Sequence, residues 1–223
     1  MGFLVKKRLR WGLTVWGWLV LIVLLILPLF LVFRNLYTIL SPVDREQTDL
    51  LVLEGFVSDL VIRDAITEFK SHPYQLLITT GTPLEVGSML LPWNNTANVA
   101  GASLICMGFD STKLVIVPTN EIIHDRTYNS ARELARWLRN HRPQTRSLNL
   151  MTSSVHGARS QVLFQCGIGD SIRVGIISTD NYYYNDNNWW KSSKGFRETM
   201  NEAIGYLYVR LFFRSYDDKE KNK

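Results

Sequence analysis

Two apolar runs, at 114–117 and 148–151, each give way to a dense polar cluster that opens into a stretch of helical character. The first cluster holds Glu121, Asp125, Arg126, Thr127, Asn129 and Ser130, and the second holds Thr152, Ser153, Ser154, His156 and Arg159. Strand, polar turn and helix in repeated succession is the pattern of a parallel α/β sheet, whose ligands bind beyond the carboxyl ends of the strands. Both clusters are therefore expected on one rim of one sheet.

The alternation continues along the rest of the chain. Apolar runs at 50–53, 76–78 and 172–177 bring the strand candidates to five, and amphipathic segments follow from Ser58 and over 96–107, 127–140, 155–166 and 194–213. Ser58 is the expected cap of the first of these helices. Gly108, Pro143 and Gly167 stand where the middle helices should stop. This order predicts an α/β fold: a Rossmann-like three-layer domain over 50–213, with about five parallel strands. The segment 37–49 is expected to be a linker, and the charged tail 214–223 to be disordered.

The amino-terminal part has a different character. Between Trp11 and Phe33 no residue is charged, and 23 residues at about 1.5 Å each can cross a bilayer core of ~30 Å. The run is too long for the apolar core of a cleaved signal peptide, and no small-x-small cleavage pattern follows it. The expectation is a basic tail at 1–10 and an uncleaved transmembrane signal anchor at 11–36. Of the 25 Lys and Arg, five lie at or before Arg34, whereas all 20 acids lie beyond it. The positive-inside rule then predicts a cytoplasmic amino terminus, with the main domain outside the plasma (inner) membrane. Since 20 bases face 20 acids beyond Arg34, the net charge of +5 speaks for topology and against nucleic acid as a partner.

Several chemistries lack their motifs. The first strand ends in Glu54-Gly55-Phe56 and not in GxGxxG, and neither a GxxxxGK[ST] loop nor a GxSxG elbow occurs. No cofactor motif and no metal spacing appear, and Cys106 and Cys166 are expected as buried free thiols. What remains is the rim. His156 and Arg159, three apart at a helix start, share a face beside backbone N–H groups near Ser153 and Ser154 that form an anion seat. Glu121 and Asp125 stand at the neighbouring strand end, where a carboxylate beside an imidazole suits acid–base work. Arg63, on the first helix after the anchor, is placed within reach of the same rim. Two alternatives stay open: Ser153 or Ser154 serves simply as a helix cap, and the aromatic loop 182–190 packs under the last helix, lies at headgroup level or closes over the rim. Packing is the favoured reading of that loop. Arg132, Arg136 and Arg139 are expected on a solvated helix face.

The clusters resemble the YdcF/SanA/ElyC family of bacterial envelope proteins, over 48–213. The run LLVLEG matches the family's first strand, and Arg63 its recurrent arginine on the helix that follows. Thr80-Gly81-Thr82 corresponds to its small polar turn, and Glu121, Thr127, Asn129 and Ser130 to its acid, threonine and polar pair. Thr152, Ser153, His156 and Arg159 correspond to its fourth strand end. The arrangement Arg126-Thr127-x-Asn129-Ser130 and the single anchor are most similar to the SanA branch. Three positions depart from the family pattern. Glu54 stands where glycine is usual, Thr96-Ala97 where an acid opens the third helix, and Asn129 where a carboxylate is usual. Glu54 would crowd a ligand beneath the first strand.

Residues and resemblance together lead to one expectation: a membrane-anchored envelope protein that binds an anionic, phosphate-bearing or lipid-linked precursor. Glu121 and His156 would carry the acid–base work, and Arg63, Thr80, Gly81, Thr127, Thr152, Ser153 and Arg159 the binding. The alternative is a non-catalytic assembly or barrier factor acting through protein partners, which the missing nucleophile motif favours.

Overall fold

In the computed structural model the described residues are 14–85, 92–120 and 124–213. The basic tail 1–10, Glu121 and the tail 214–223 lie outside them. The chain divides into a unit at 1–36 and a unit at 37–223.

Helix α1 (Val15–Leu40) supplies most of the described residues of the first unit, runs through Pro28 and is long and apolar enough to cross a membrane. Leu24, Leu25 and Leu29 expose their side chains.

The second unit is a six-stranded sheet flanked by helices. Its elements are β1 (Val43–Asp44), β2 (Leu50–Glu54), α2 (Asp59–Ser71), β3 (Leu76–Gly81), α3 (Thr96–Cys106), β4 (Leu114–Pro118), α4 (Arg126–His141), β5 (Ser147–Ser153), α5 (Gly157–Ile168), β6 (Arg173–Thr179) and α6 (Ser193–Phe212). The strand order is β1-β6-β5-β2-β3-β4, with β2 to β6 parallel and β1 antiparallel at the edge. The five expected strands are all present, in the doubly wound arrangement their alternation with helices required.

Both faces of the sheet are covered, and β2 shows how its sequence serves both. Its side chains alternate from face to face with a period of two. Leu50 and Val52 join the core beneath α4 and α5 with Leu134, Leu138 and Phe164. Leu51 and Leu53 join the core beneath α2 and α3 with Ile62, Phe69 and Leu104. A strand buried on both sides must be apolar throughout, which is why LLVL shows no polar alternation. Helix α6 lies over α4 and α5, where Val209 meets Tyr128 and Leu163.

The segment 37–49, expected as a linker, is built into the domain. Tyr37 and Leu40 are buried, and Val43 and Asp44 pair with Ile177 and Ile176. The cause lies in β5. Asn149 is buried at the middle of the sheet and its amide needs partners. It donates to the Glu46 carbonyl at 2.9 Å and accepts from the Glu46 N–H at 2.8 Å. Thr48 Oγ1 donates to the Ser147 carbonyl, and Arg45 forms a two-pronged bond to Glu68. The cysteines also differ from expectation: both thiols are exposed, because Cys106 ends α3 and Cys166 faces away from the core on α5.

Candidate functional site

The topology decides where a crevice opens. From β2 the chain winds outward through β3 to β4, then returns past β2 to β5 and winds out the other way to β6. The carboxyl ends of β2 and β5 are therefore the switch point at which helices leave toward opposite faces, and ligands bind in such crevices. Glu54 ends β2 and Ser153 ends β5.

After Ser153 the chain makes a tight turn over Ser154–His156 before α5 begins. Ser154 adopts φ +44°, a left-handed conformation that costs a serine free energy. A bond of 2.9 Å between the Ser154 and Tyr37 hydroxyls helps to hold it there. Gly157 allows the turn to press on β6, because a Cβ at that position would lie 1.9 Å from Ser178 Oγ. Neither Ser153 nor Ser154 caps a helix with its side chain, so the capping reading of this pair does not describe the turn. Ser58 makes no cap bond either.

The turn delivers His156 into a charged network. Its Nδ1 lies 3.0 Å from Glu202 Oε1 on α6, and its Nε2 faces Glu54 Oε2 at 3.8 Å. Arg159 grips the same Glu202 from one turn further along α5, through Nε to Oε2 at 2.7 Å and Nη2 to Oε1 at 3.1 Å. Ser160, fully buried, donates its hydroxyl to Glu54 Oε2 at 2.8 Å. Glu54 thus occupies the crevice floor as a hydrogen-bonded carboxylate.

Burial tells on each of these groups. For His156 burial disfavours the charged ring, but the Glu202 hydrogen bond and the Glu54 and Glu202 charges outweigh it and raise the pKa. For Glu202 burial opposes ionisation, yet His156 and Arg159 bring its pKa down to about 2. The His156 ring is therefore favoured in its charged form, with Nδ1–H donated to Glu202 and Nε2–H turned toward Glu54. Arg159 Nη2 also approaches Nδ1 at 3.0 Å, so two cations share one carboxylate. A carboxylate that orients an imidazole at one nitrogen leaves the other nitrogen to exchange a proton with whatever enters the crevice.

Above this floor lies a cleft of about 740 Å³. Of the residues expected at the site, Thr80, Gly81, Thr127, Ser153, His156 and Arg159 line it. Thr152 is buried one position below the rim, beside Ser178, and does not line it. Arg63 does not line it either: its side chain is exposed on α2, where its charge acts on Tyr182. On the β3 side, Gly55 and Gly81 let the start of α3 close in, since a Cβ at Gly55 would stand 2.6 Å from the Thr96 backbone. Thr80, 1% exposed, keeps its hydroxyl without a protein partner on this wall.

The aromatic loop divides its labour. Trp189 is fully buried, whereas Tyr182 and Tyr183 border the cleft. Tyr182 donates to Asp64 Oδ2 on α2 at 2.6 Å, a bond that ties the loop across the rim and pushes its pKa up to about 12. Asp125, like Ser154, lines the cleft with a positive φ, and these are the two such non-glycine residues among those described.

Sequence reasoning missed Glu202, the counter-charge of the whole network. It stands on the inward face of α6 with Gly195, Thr199, Ala203 and Val209, at helical spacing. An acid on an otherwise small or apolar face was the available signal. No protein-family model, curated protein or solved structure matches the chain.

Proposed function

We propose that this is a membrane-anchored cell-envelope protein, similar to the SanA branch, whose outer domain binds and acts on an anionic, phosphate-bearing envelope precursor. The observation that carries the reading is the Glu202–His156–Glu54 series at the switch-point crevice, an imidazole held at Nδ1 by Glu202 and facing Glu54 at Nε2 among the residues that line the cleft. An incoming phosphate would meet the Arg159 guanidinium and the His156 ring from the cleft while Glu202 keeps both in place. His156 then has a proton to give at Nε2, beside the Glu54 side chain. Thr127 lines the wall, and the Thr80 hydroxyl lies buried behind it. The amino-terminal bases and the uncharged span support a cytoplasmic amino terminus.

A second reading rests on a specific observation. Among the described walls, the acids Glu54, Glu85, Asp125, Asp180, Glu198 and Glu202 outnumber Arg126, Arg159 and Lys194. Such a rim suits a basic segment of a protein partner, and the network then serves to hold α6 in place.

One experiment separates the two. The full chain and its His156→Ala and Arg159→Ala variants are compared by thermal melting with phosphorylated and nucleotide ligands, and by rescue of an envelope defect. Ligand stabilisation in the parent that both variants lose while each still unfolds in a cooperative transition, though at a lower temperature, is the expected result. Full rescue by both variants would remove His156 and Arg159 from the function.

A further inference from the structure

Helix α6 carries two apolar faces, and the fold uses one. Gly195, Thr199, Ala203 and Val209 point inward, against the aromatic loop and α5. The outward side repeats Phe196, Met200, Ile204, Leu207, Tyr208 and Leu211 at helical spacing. Ile204 is 63% exposed, Leu207 56% and Leu211 69%. A contiguous apolar stripe of this kind is uncommon on a soluble surface and marks a surface that meets something.

Three observations identify what it meets. The chain holds a helix long and apolar enough to cross a membrane, so a bilayer is the nearest apolar phase. Within the domain, Tyr184 of the aromatic loop lies between the start of α6 and the buried Tyr37. The Tyr37 and Tyr184 rings meet edge to face at 6.3 Å, and a Cβ at Gly195 would lie 2.8 Å from the Tyr184 ring. The charges also fit. No acid occurs over 203–212, Arg197 lies on the stripe and Arg210 beside it, and both are exposed.

We propose that the outward face of α6 is a bilayer-docking surface: its apolar stripe seats in the interfacial layer of the membrane, with Arg197 and Arg210 at anionic headgroups. The inference rests on the anchoring read from α1. Tyr208 belongs both to this face and to the cleft wall, so docking would bring the cleft mouth to the lipid surface.

The test uses the full chain, with Cys106→Ser and Cys166→Ser, as single copies in lipid nanodiscs containing anionic phospholipid. Single cysteines at Leu207→Cys, Leu211→Cys, Arg136→Cys and Leu24→Cys carry an environment-sensitive fluorophore, and spin-labelled phospholipid serves as quencher. Emission from positions 207 and 211 is expected to be blue-shifted and quenched by about twofold, with position 136 on α4 unaffected. All four sites are exposed, so melting should match the parent, and positions 207 and 211 provide independent readings. Water-like, unquenched emission at both, with position 24 quenched, would overturn the docking and leave the anchor standing. No quenching at position 24 would overturn the anchor and the docking together. A blue shift that develops only when two copies share a disc would assign the face to a copy–copy contact and overturn the proposal.

Discussion

The two strand ends marked by polar clusters, after β5 and after β4, solve the same problem in opposite ways. After β5 the charges are largely withdrawn from solvent and draw their partners from afar: His156 and Arg159 share Glu202 on α6, and Ser160 holds Glu54 at the end of β2. After β4 the described charges stay in contact with water. Asn129 donates its amide to the His124 carbonyl at 2.7 Å, and Arg126 meets an exposed Glu85 at 2.8 Å while lying over the Phe56 ring. The contrast teaches where a polar cluster can store function. A charge that solvent can compensate contributes little and constrains little, whereas a desolvated one holds its partners in a defined geometry.

The strongest way to break this comparison is Glu202→Ala. It leaves two partly buried cations without their shared carboxylate, and a loss of about 3 kcal/mol in unfolding free energy is expected. Chemical denaturation of the full chain measures it, and a loss below about 1 kcal/mol would place the network in the same class as the exposed pair.

Dependence on pH sharpens the same point. Glu202 has a folded pKa of about 2 against an ordinary 4.5, so its stabilisation is present above 4.5 and fades as pH falls toward 2. His156 has a folded pKa raised above the ordinary 6.5, so its contribution is present below 6.5 and fades as pH rises through the folded value. Stability from this pair should therefore peak between 4.5 and 6.5, and Glu202→Gln should flatten both limbs of the profile. A profile that keeps both limbs in that variant would assign them to other groups.

Ser160→Ala should cost less, about 1.5 kcal/mol, since it deprives the Glu54 carboxylate of one buried hydrogen bond. Its signature is a lower melting temperature, and an unchanged one would mean that solvent replaces the hydroxyl. Smallest of all, Arg126→Ala at the β4 end should change stability by less than about 0.5 kcal/mol, because its partner Glu85 is 66% exposed in the side chain. An effect as large as that of Ser160→Ala would erase the distinction between the two strand ends.

Much of the fold was legible because its causes are local. The runs at 50–53, 76–78, 114–117, 148–151 and 172–177 are short, apolar and separated by amphipathic stretches, and each became a parallel strand. The site was legible only in part. His156 and Arg159 announced themselves by standing at a strand end with spacing three, and both line the cleft. Arg63 was expected at the rim only from its place on the first helix and from the resemblance, and it stands exposed on α2, since its place depends on the rotation of that helix against the sheet. Thr152 fell one residue below the rim, a difference that register alone decides.

By itself, then, the sequence determined which segments are strands and helices, that the strands run parallel beneath helices on both faces, and that one helix is long and apolar enough to cross a membrane. Periodicity and apolar length act over a few residues and need no knowledge of the rest. Only the tertiary structure decided that 37–49 joins the sheet through Asn149, that Glu54 accepts from Ser160, and that Glu202 pairs with both His156 and Arg159. Those pairings join residues 103, 106 and 46 positions apart. Their physical reason is desolvation: a buried amide or charge must be met by whichever group the fold brings to it, and nothing in its own neighbourhood in the chain says which group that will be.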